Sequence, residues 1–180
     1  DVQSPFLGEN DFSTLAVLAD GATATIVSPC ADAKGWKFAF ATHGEKSAAL
    51  KCRDGRLSMD GFEVFKFVAT DVVRFAKEFL KRAAPEISTF VPHQANVFMV
   101  RELSRALGID EKKTWLSADR IGNISSASIP ATIAFNAGRG RIFSPDEDIF
   151  LCAFGGGLSI GAALVSFNGG MKSGVFEYEK

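Results

Sequence analysis

Val91-Pro92-His93-Gln94-Ala95-Asn96 is the stretch on which the fold of this chain turns. The run before it, residues 87–91, reads as a buried strand, and the pattern after it is helical. The histidine therefore stands where a strand hands over to a helix. A second polar stretch, Gly122-Asn123-Ile124-Ser125-Ser126-Ala127-Ser128, and a glycine triplet, Gly155-Gly156-Gly157, hold the same kind of position further on. In open α/β sheets that edge is where ligands bind.

Outward from that stretch, strand and helix alternate. Upstream, Phe62, Phe65, Val68, Val72, Phe75, Phe79 and Leu80 recur at helical spacing over 62–82, and Pro85 lies just beyond. Downstream, Val97, Val100, Leu103, Ser104 and Leu107 share one face of a helix over 96–107 that Gly108 stops. Residues 115–118 read as a short strand, 119–128 as turns, and 129–137 as a helix opened by Ser128 and Pro130. Residues 148–154 and 158–167 read as two buried strands, antiparallel because the glycine triplet joins them so tightly. Nearer the start, 14–19 and 23–27 read as a hairpin turning at Asp20-Gly21, after a polar, loop-like opening. Residues 37–42 read as a third strand with Phe38 and Phe40 on one face, and 46–56 as a strand with a turn at Asp54-Gly55. The alternation from residue 59 onward predicts a largely parallel, helix-covered sheet.

Composition bounds the function. The chain of 180 residues is long enough for one well-buried domain, with 47% apolar and 23% charged residues. A net charge of -1 makes no case for nucleic acid or an anionic membrane. Seventeen phenylalanines against one tyrosine imply apolar contact surfaces as well as core. Cys30, Cys52 and Cys152 form neither a CxxC pair nor an even disulfide set, which fits a reducing, cytoplasmic setting. No apolar run approaches the roughly 20 residues of a membrane span. The opening Asp1-Val2-Gln3-Ser4-Pro5 has neither an initiator Met nor a signal-peptide pattern and reads as a cut within something longer. No carboxylate pair, metal-ligand cluster or phosphate loop is visible.

Taken together, Pro92-His93-Gln94-Ala95-Asn96, Gly122-Asn123-Ile124-Ser125-Ser126-Ala127-Ser128-Ile129-Pro130 and Phe154-Gly155-Gly156-Gly157-Leu158-Ser159-Ile160-Gly161 resemble the C-terminal half of the β-ketoacyl-acyl-carrier-protein synthase III family. Met59-Asp60-Gly61-Phe62-Glu63-Val64-Phe65-Lys66 resembles that half's entry into its first helix. Ala19-Asp20-Gly21-Ala22 resembles the family's hairpin turn, with Ala19 where glycine is usual. The resemblance covers most of residues 12–168 in family order. It implies an α/β, thiolase-like fold of two similar βαβαβαββ halves sharing their helix layers. Residues 1–45 would be the end of the N-terminal half and the connection, and 46–180 the C-terminal half.

In that family a first-half cysteine is acylated by an acyl-CoA, malonyl-acyl-carrier protein loses carbon dioxide, and the enolate attacks the acyl-cysteine. The resemblance thus implies that His93 and Asn123 stabilise the enolate. It further implies that the Gly156 N–H completes an oxyanion hole, with φ > 0 at that glycine. Substrate contacts are implied at Met59, Gly61, Phe62, Phe65, Ala95, Asn96, Phe98 and Phe154. No metal is implied, and no cofactor besides the acyl-CoA and malonyl-acyl-carrier protein substrates. The implied partners are the acyl-carrier protein, the missing portion with the cysteine, and a second subunit in a homodimer or heterodimer.

Two positions depart from the family. Phe98 replaces an Arg that helps dock the acidic carrier protein, and Phe62 replaces an Asn that touches the pantetheine arm. Arg101, Arg105 and Lys112 remain as a basic docking face. By residue chemistry alone, Phe62, Phe65 and Phe98 read as core before tunnel lining, and His43 as a loop residue.

The family's nucleophile sits at a helix N-terminus, where the dipole lowers the thiol pKa. Cys30 follows Ser28-Pro29 at a strand end, Cys152 lies in a buried strand, and Cys52 sits between Lys51 and Arg53 in a surface turn. None has that setting, so the chain alone is expected to be inactive. Two readings stand: part of a condensing enzyme, or a non-catalytic partner or scaffold subunit of a synthase pair. A papain-like hydrolase lacks its cysteine signature here. Half of a two-half fold is also expected to leave an apolar face exposed.

Overall fold

The computed structural model describes residues 1–8, 12–29, 34–141, 143–145, 147–167 and 172–176; Cys30 lies outside them. Its frame is a four-stranded sheet in the order β1-β6-β5-β4, made of β1 (Lys37–Thr42), β4 (Ile87–Pro92), β5 (Asp148–Gly155) and β6 (Ser159–Val165). A separate hairpin pairs β2 (Leu50–Arg53) with β3 (Arg56–Met59), turning at Asp54-Gly55 as the sequence suggests.

The long amphipathic helix forms, with one irregularity. It runs as α2 (Gly61–Phe67), a π-helical segment (Val68–Val72) and α3 (Val73–Ala83). Asp60 caps it, its carboxylate accepting from the Phe62 and Glu63 backbone N–H groups at 3.1 Å each. Ala84, left-handed at φ 46°, ends it. Next come α4 (Val97–Leu107), capped by Asn96 and closed by a left-handed Gly108, then the short α5 (Ala118–Ile121) and α6 (Ser128–Ala137).

The sheet buries both faces. On one side Phe90, Phe150, Cys152, Ile160 and Leu164 meet Val64, Phe67, Val72 and Ala76 of the long helix and Leu103 of α4. On the other, Val91, Ile149 and Val165 meet Trp115 and Phe143, with Ile129 and Ile133 of α6 against them. The long helix and α6 therefore sandwich the sheet, an α/β layering.

Three expectations need correction. The sheet is not largely parallel: β4 and β5 run parallel, but β5–β6 and β1–β6 are antiparallel. Residues 115–118 do not add a strand beside β4. Thr114 makes a single parallel bridge to Phe90, and the Ser117 and Ala118 N–H groups are taken by the Gln94 side chain, leaving no ladder to extend. The hairpin over 14–27 does not form either. Phe12–Leu15 is a helical turn (α1), Leu18 bridges Asn123, and residues 23–27 are exposed and pair with no strand among the described residues, Ile26 being 94% exposed. Asp20-Gly21 turns instead toward the first residues: the Asp20 carboxylate accepts from the Gln3 and Ser4 N–H groups at 2.6 and 2.9 Å, and Gly21 N–H donates to the Asp1 carbonyl. An isolated two-stranded hairpin is marginal in water, and these competing bonds suffice to replace it.

At the sheet edge β1 pairs with β6 from Lys37↔Leu164 to Thr42↔Ser159. Phe38 and Phe40 stand opposite Ala163 and Gly161, stack on one another at 6.4 Å, and are exposed. They lie on the α6 side of the sheet, Phe38 edge-on to Trp36 at 6.2 Å at the margin of the cluster around Trp115. Among the described residues no helix is long and apolar enough to cross a membrane.

Candidate functional site

Strand β4 ends at Pro92, and the chain is held to β5 one residue longer, His93 N–H donating to the Cys152 carbonyl at 2.8 Å. The imidazole packs edge-on against the Phe154 ring, 5.1 Å between centroids. It makes no side-chain hydrogen bond among the described residues. Burial holds its pKa at about 4, below the ordinary 6.5, so the ring is neutral near pH 7.

Gln94 is fully buried, and its amide uses both ends. Nε2 donates to the Pro92 and Trp115 carbonyls at 2.8 and 3.2 Å, while Oε1 accepts from Ser117 and Ala118 N–H at 2.9 and 3.1 Å. These bonds tie the β4 end to the start of α5, and through α5 to Gly122-Asn123. No local sequence pattern assigns Gln94 this role. A buried amide between a strand end and an N-cap is the signal that could have found it.

Asn123 is fixed at three points. Its N–H donates to Val17 C=O at 3.1 Å, its C=O accepts from Ala19 N–H at 2.9 Å, and Oδ1 accepts from Ser125 N–H at 2.9 Å. Nδ2 has no hydrogen-bond partner among the described residues. Gly122 at φ 68° lets the chain pass Ala19, where a Cβ would approach the Ala19 Cβ to 3.0 Å. His93 and Asn123 share no hydrogen bond; Gln94 is the link between their loops.

The glycine turn corrects the sequence reading at one point. Gly156 has open space around it and no positive φ. Gly157 is the constrained one, at φ 139°, where a Cβ would collide with Ser159 Oγ and lie 2.9 Å from Ser159 N.

The remaining candidates fall into two groups. Ala95 and Phe154 are in the buried core, with Met59 and Phe65 packed on it, and Asn96 Oδ1 caps α4 by accepting from Met99 N–H at 2.8 Å. Gly61 opens α2 in open space. Phe62 and Phe98 are not core: they are 72% and 60% exposed, Phe98 stacking on half-buried Phe65 at 5.8 Å. Helix N-termini leave their first side chains outside the packed stripe, and both residues sit in a first turn. Of the expected basic face, Arg101 and Arg105 are paired with Glu111 and Glu102. Cys152 is sealed in β5, where burial pushes its thiol up to about 12. Cys52 is exposed, on β2 and not in a turn. No metal-binding cluster exists among the described residues.

The fold and these motifs define the chain as half of a thiolase-like architecture. It superposes on the 3-oxoacyl-[acyl-carrier-protein] synthase III of Aquifex aeolicus with a TM-score of 0.84 at 29% identity, covering 92% of this chain and 55% of that one. The Thermus thermophilus enzyme gives 0.81 at 31% identity, over 93% and 57%. Residues 80–167 match the family described as 3-oxoacyl-[acyl-carrier-protein (ACP)] synthase III C terminal. The β-ketoacyl-[acyl-carrier-protein] synthase III of Staphylococcus saprophyticus is 35% identical over 158 residues, 84% of this chain and 50% of the relative. That of Staphylococcus aureus is 34% identical over 163 residues, 87% and 52%. The chain belongs to the 3-oxoacyl-ACP synthase III family and corresponds to its C-terminal half. It spans about half the length of the curated relatives it matches.

Proposed function

We propose that this chain supplies the decarboxylation site of an enzyme that condenses an acyl-CoA-derived acyl group with malonyl-acyl-carrier protein. The nucleophilic cysteine comes from outside the described residues. One observation carries the reading: His93 and Asn123 each hold a side-chain N–H donor with no hydrogen-bond partner among the described residues, while their backbone groups bond to Cys152, Val17 and Ala19.

The chemistry needs such donors. When the bond between the malonyl carbon and its carboxylate breaks, the electron pair moves into an enolate and charge collects on the thioester oxygen. A neutral imidazole N–H and a carboxamide N–H stabilise that oxygen without giving up a proton. The enolate carbon then bonds to the acyl carbonyl carbon. As the tetrahedral oxyanion collapses, the cysteine thiolate leaves. The Gly156 N–H faces that oxyanion. No cofactor enters; the substrates carry their own activation as thioesters.

Phe65 and Phe98, stacked at 5.8 Å, and the exposed Phe62 offer apolar surface to the thioester-bearing arm. The exposed Phe38 and Phe40 lie on the face that meets the half carrying the cysteine. The test is made in the intact enzyme with His93→Ala and Asn123→Ala. Each lowers malonyl decarboxylation by roughly 100-fold or more while cysteine acylation stays measurable. Normal decarboxylation by both variants overturns the roles assigned to His93 and Asn123.

A further inference from the structure

The helix running from Gly61 to Ala83 is interrupted by its π segment, and Asp71 lies inside it, 8% exposed. A π-turn takes up one extra residue and re-aims the side chains around it, and such turns recur at functional sites. A carboxylate this deep requires paired charge. Lys46 Nζ pairs with Asp71 Oδ2, Thr70 Oγ1 donates to the same oxygen at 3.1 Å, and Arg74 donates to Oδ1 at 2.7 Å.

Lys46 is not on the helix. It belongs to the 3₁₀ connection Gly44–Ala49 that follows β1. Its ammonium lies 5.3 Å from the centre of the Phe67 ring, and the same ring takes the His43 imidazole edge-on at 5.5 Å. His43 N–H then donates to the Leu158 carbonyl at 2.7 Å, and Thr42 Oγ1 shares a hydrogen bond with Ser159 Oγ at 3.2 Å. Leu158 and Ser159 are the residues directly after Gly156-Gly157. One short connection is thus bolted to the helix at one end and to the glycine turn at the other.

We propose that Lys46 and Asp71 are positioning residues for the Gly156–Gly157 turn, their part-buried ion pair clamping the connection whose Thr42 and His43 hold the turn in place. Successive glycines have little conformational preference of their own, so bonds from outside must fix the N–H that meets an oxyanion. A donor displaced by a fraction of an ångström loses much of its preorganised stabilisation. The inference rests on the condensing-enzyme reading above.

The intact enzyme carrying Lys46→Met or Asp71→Asn tests it, with acylation, decarboxylation and condensation measured separately. Acylation and condensation rate constants are expected to fall about tenfold, with KM for acyl-CoA unchanged within about twofold. Decarboxylation, which depends on His93 and Asn123, stays near wild type. Lys46→Arg restores the lost rate, and Arg74→Ala, which leaves the connection bolted, has little effect. Should Asp71→Asn fail to fold, Lys46→Met decides, because it leaves Asp71 with Arg74 and Thr70. An equal fall in all three activities, or no fall at all, overturns the proposal. A wild-type enzyme that does not condense overturns the condensing-enzyme reading itself.

Discussion

The side-chain oxygen of Gln94 accepts the backbone N–H of Ser117 at 2.9 Å, twenty-three residues away, inside a site closed to solvent. That bond and its neighbour from Ala118 replace the strand ladder that residues 115–118 would otherwise seek. They also set the start of the segment that delivers Asn123.

Gln94→Leu keeps the apolar volume and removes every one of these bonds. The N–H groups of buried Ser117 and half-buried Ala118 and two carbonyls lose a partner, so the expected cost is about 3 kcal/mol. Urea unfolding of the intact enzyme measures it. Decarboxylation falls along with stability, because Asn123 loses its support. A stability loss under about 1 kcal/mol contradicts the network as described.

Gly156 and Gly157 separate shape from chemistry. Gly157→Ala forces a side chain onto φ 139° and into Ser159, with an expected cost of about 2–3 kcal/mol. Gly156→Ala meets open space and is expected to change stability by no more than about 0.5 kcal/mol. Thermal unfolding of the pair checks this contrast, and equal effects would show that the turn is held some other way.

Cysteine labelling checks the burial of β5. Iodoacetamide near pH 8 is expected to modify exposed Cys52 and to leave Cys152 intact until the protein unfolds. Peptide mapping reads the sites. Rapid labelling of Cys152 in the folded protein is the outcome that sinks this.

What the sequence made legible follows the range of the forces involved. The 62–82 and 96–107 helices announce themselves through apolar spacing and through Pro85 and Gly108 just past their ends, all local signals. The antiparallel β5–β6 pair is equally local, since a glycine triplet leaves no room for another connection. The strand at 115–118 was lost to Gln94, a side chain more than twenty positions away that no local pattern reveals. The 14–27 hairpin failed for the same reason: Asn123 and the first four residues claim its hydrogen-bonding groups. Within the site, His93 and Asn123 stood out by motif. Gly157 did not, because three identical residues do not say which of them carries the strained φ. Phe62 and Phe98 misled because an aromatic at helical spacing counts as core only if its turn faces the sheet.

His93 offers the sharpest prediction with pH. Its folded-state pKa of about 4 lies below the ordinary 6.5, so folding favours the neutral ring. The unfolded chain takes up a proton as pH falls below 6.5, while the folded chain does not until near 4. The stability contributed by neutral His93 is therefore complete above pH 6.5 and lost progressively as pH falls toward 4. Proton NMR of the imidazole is expected to show a midpoint near 4, and His93→Gln is expected to flatten that part of the stability curve. For catalysis the consequence is that decarboxylation keeps its imidazole donor neutral across pH 6–8, with no rate change in that window from His93 charging. A midpoint near 6.5 would place the ring in water and remove the desolvated donor on which the proposed decarboxylation site depends.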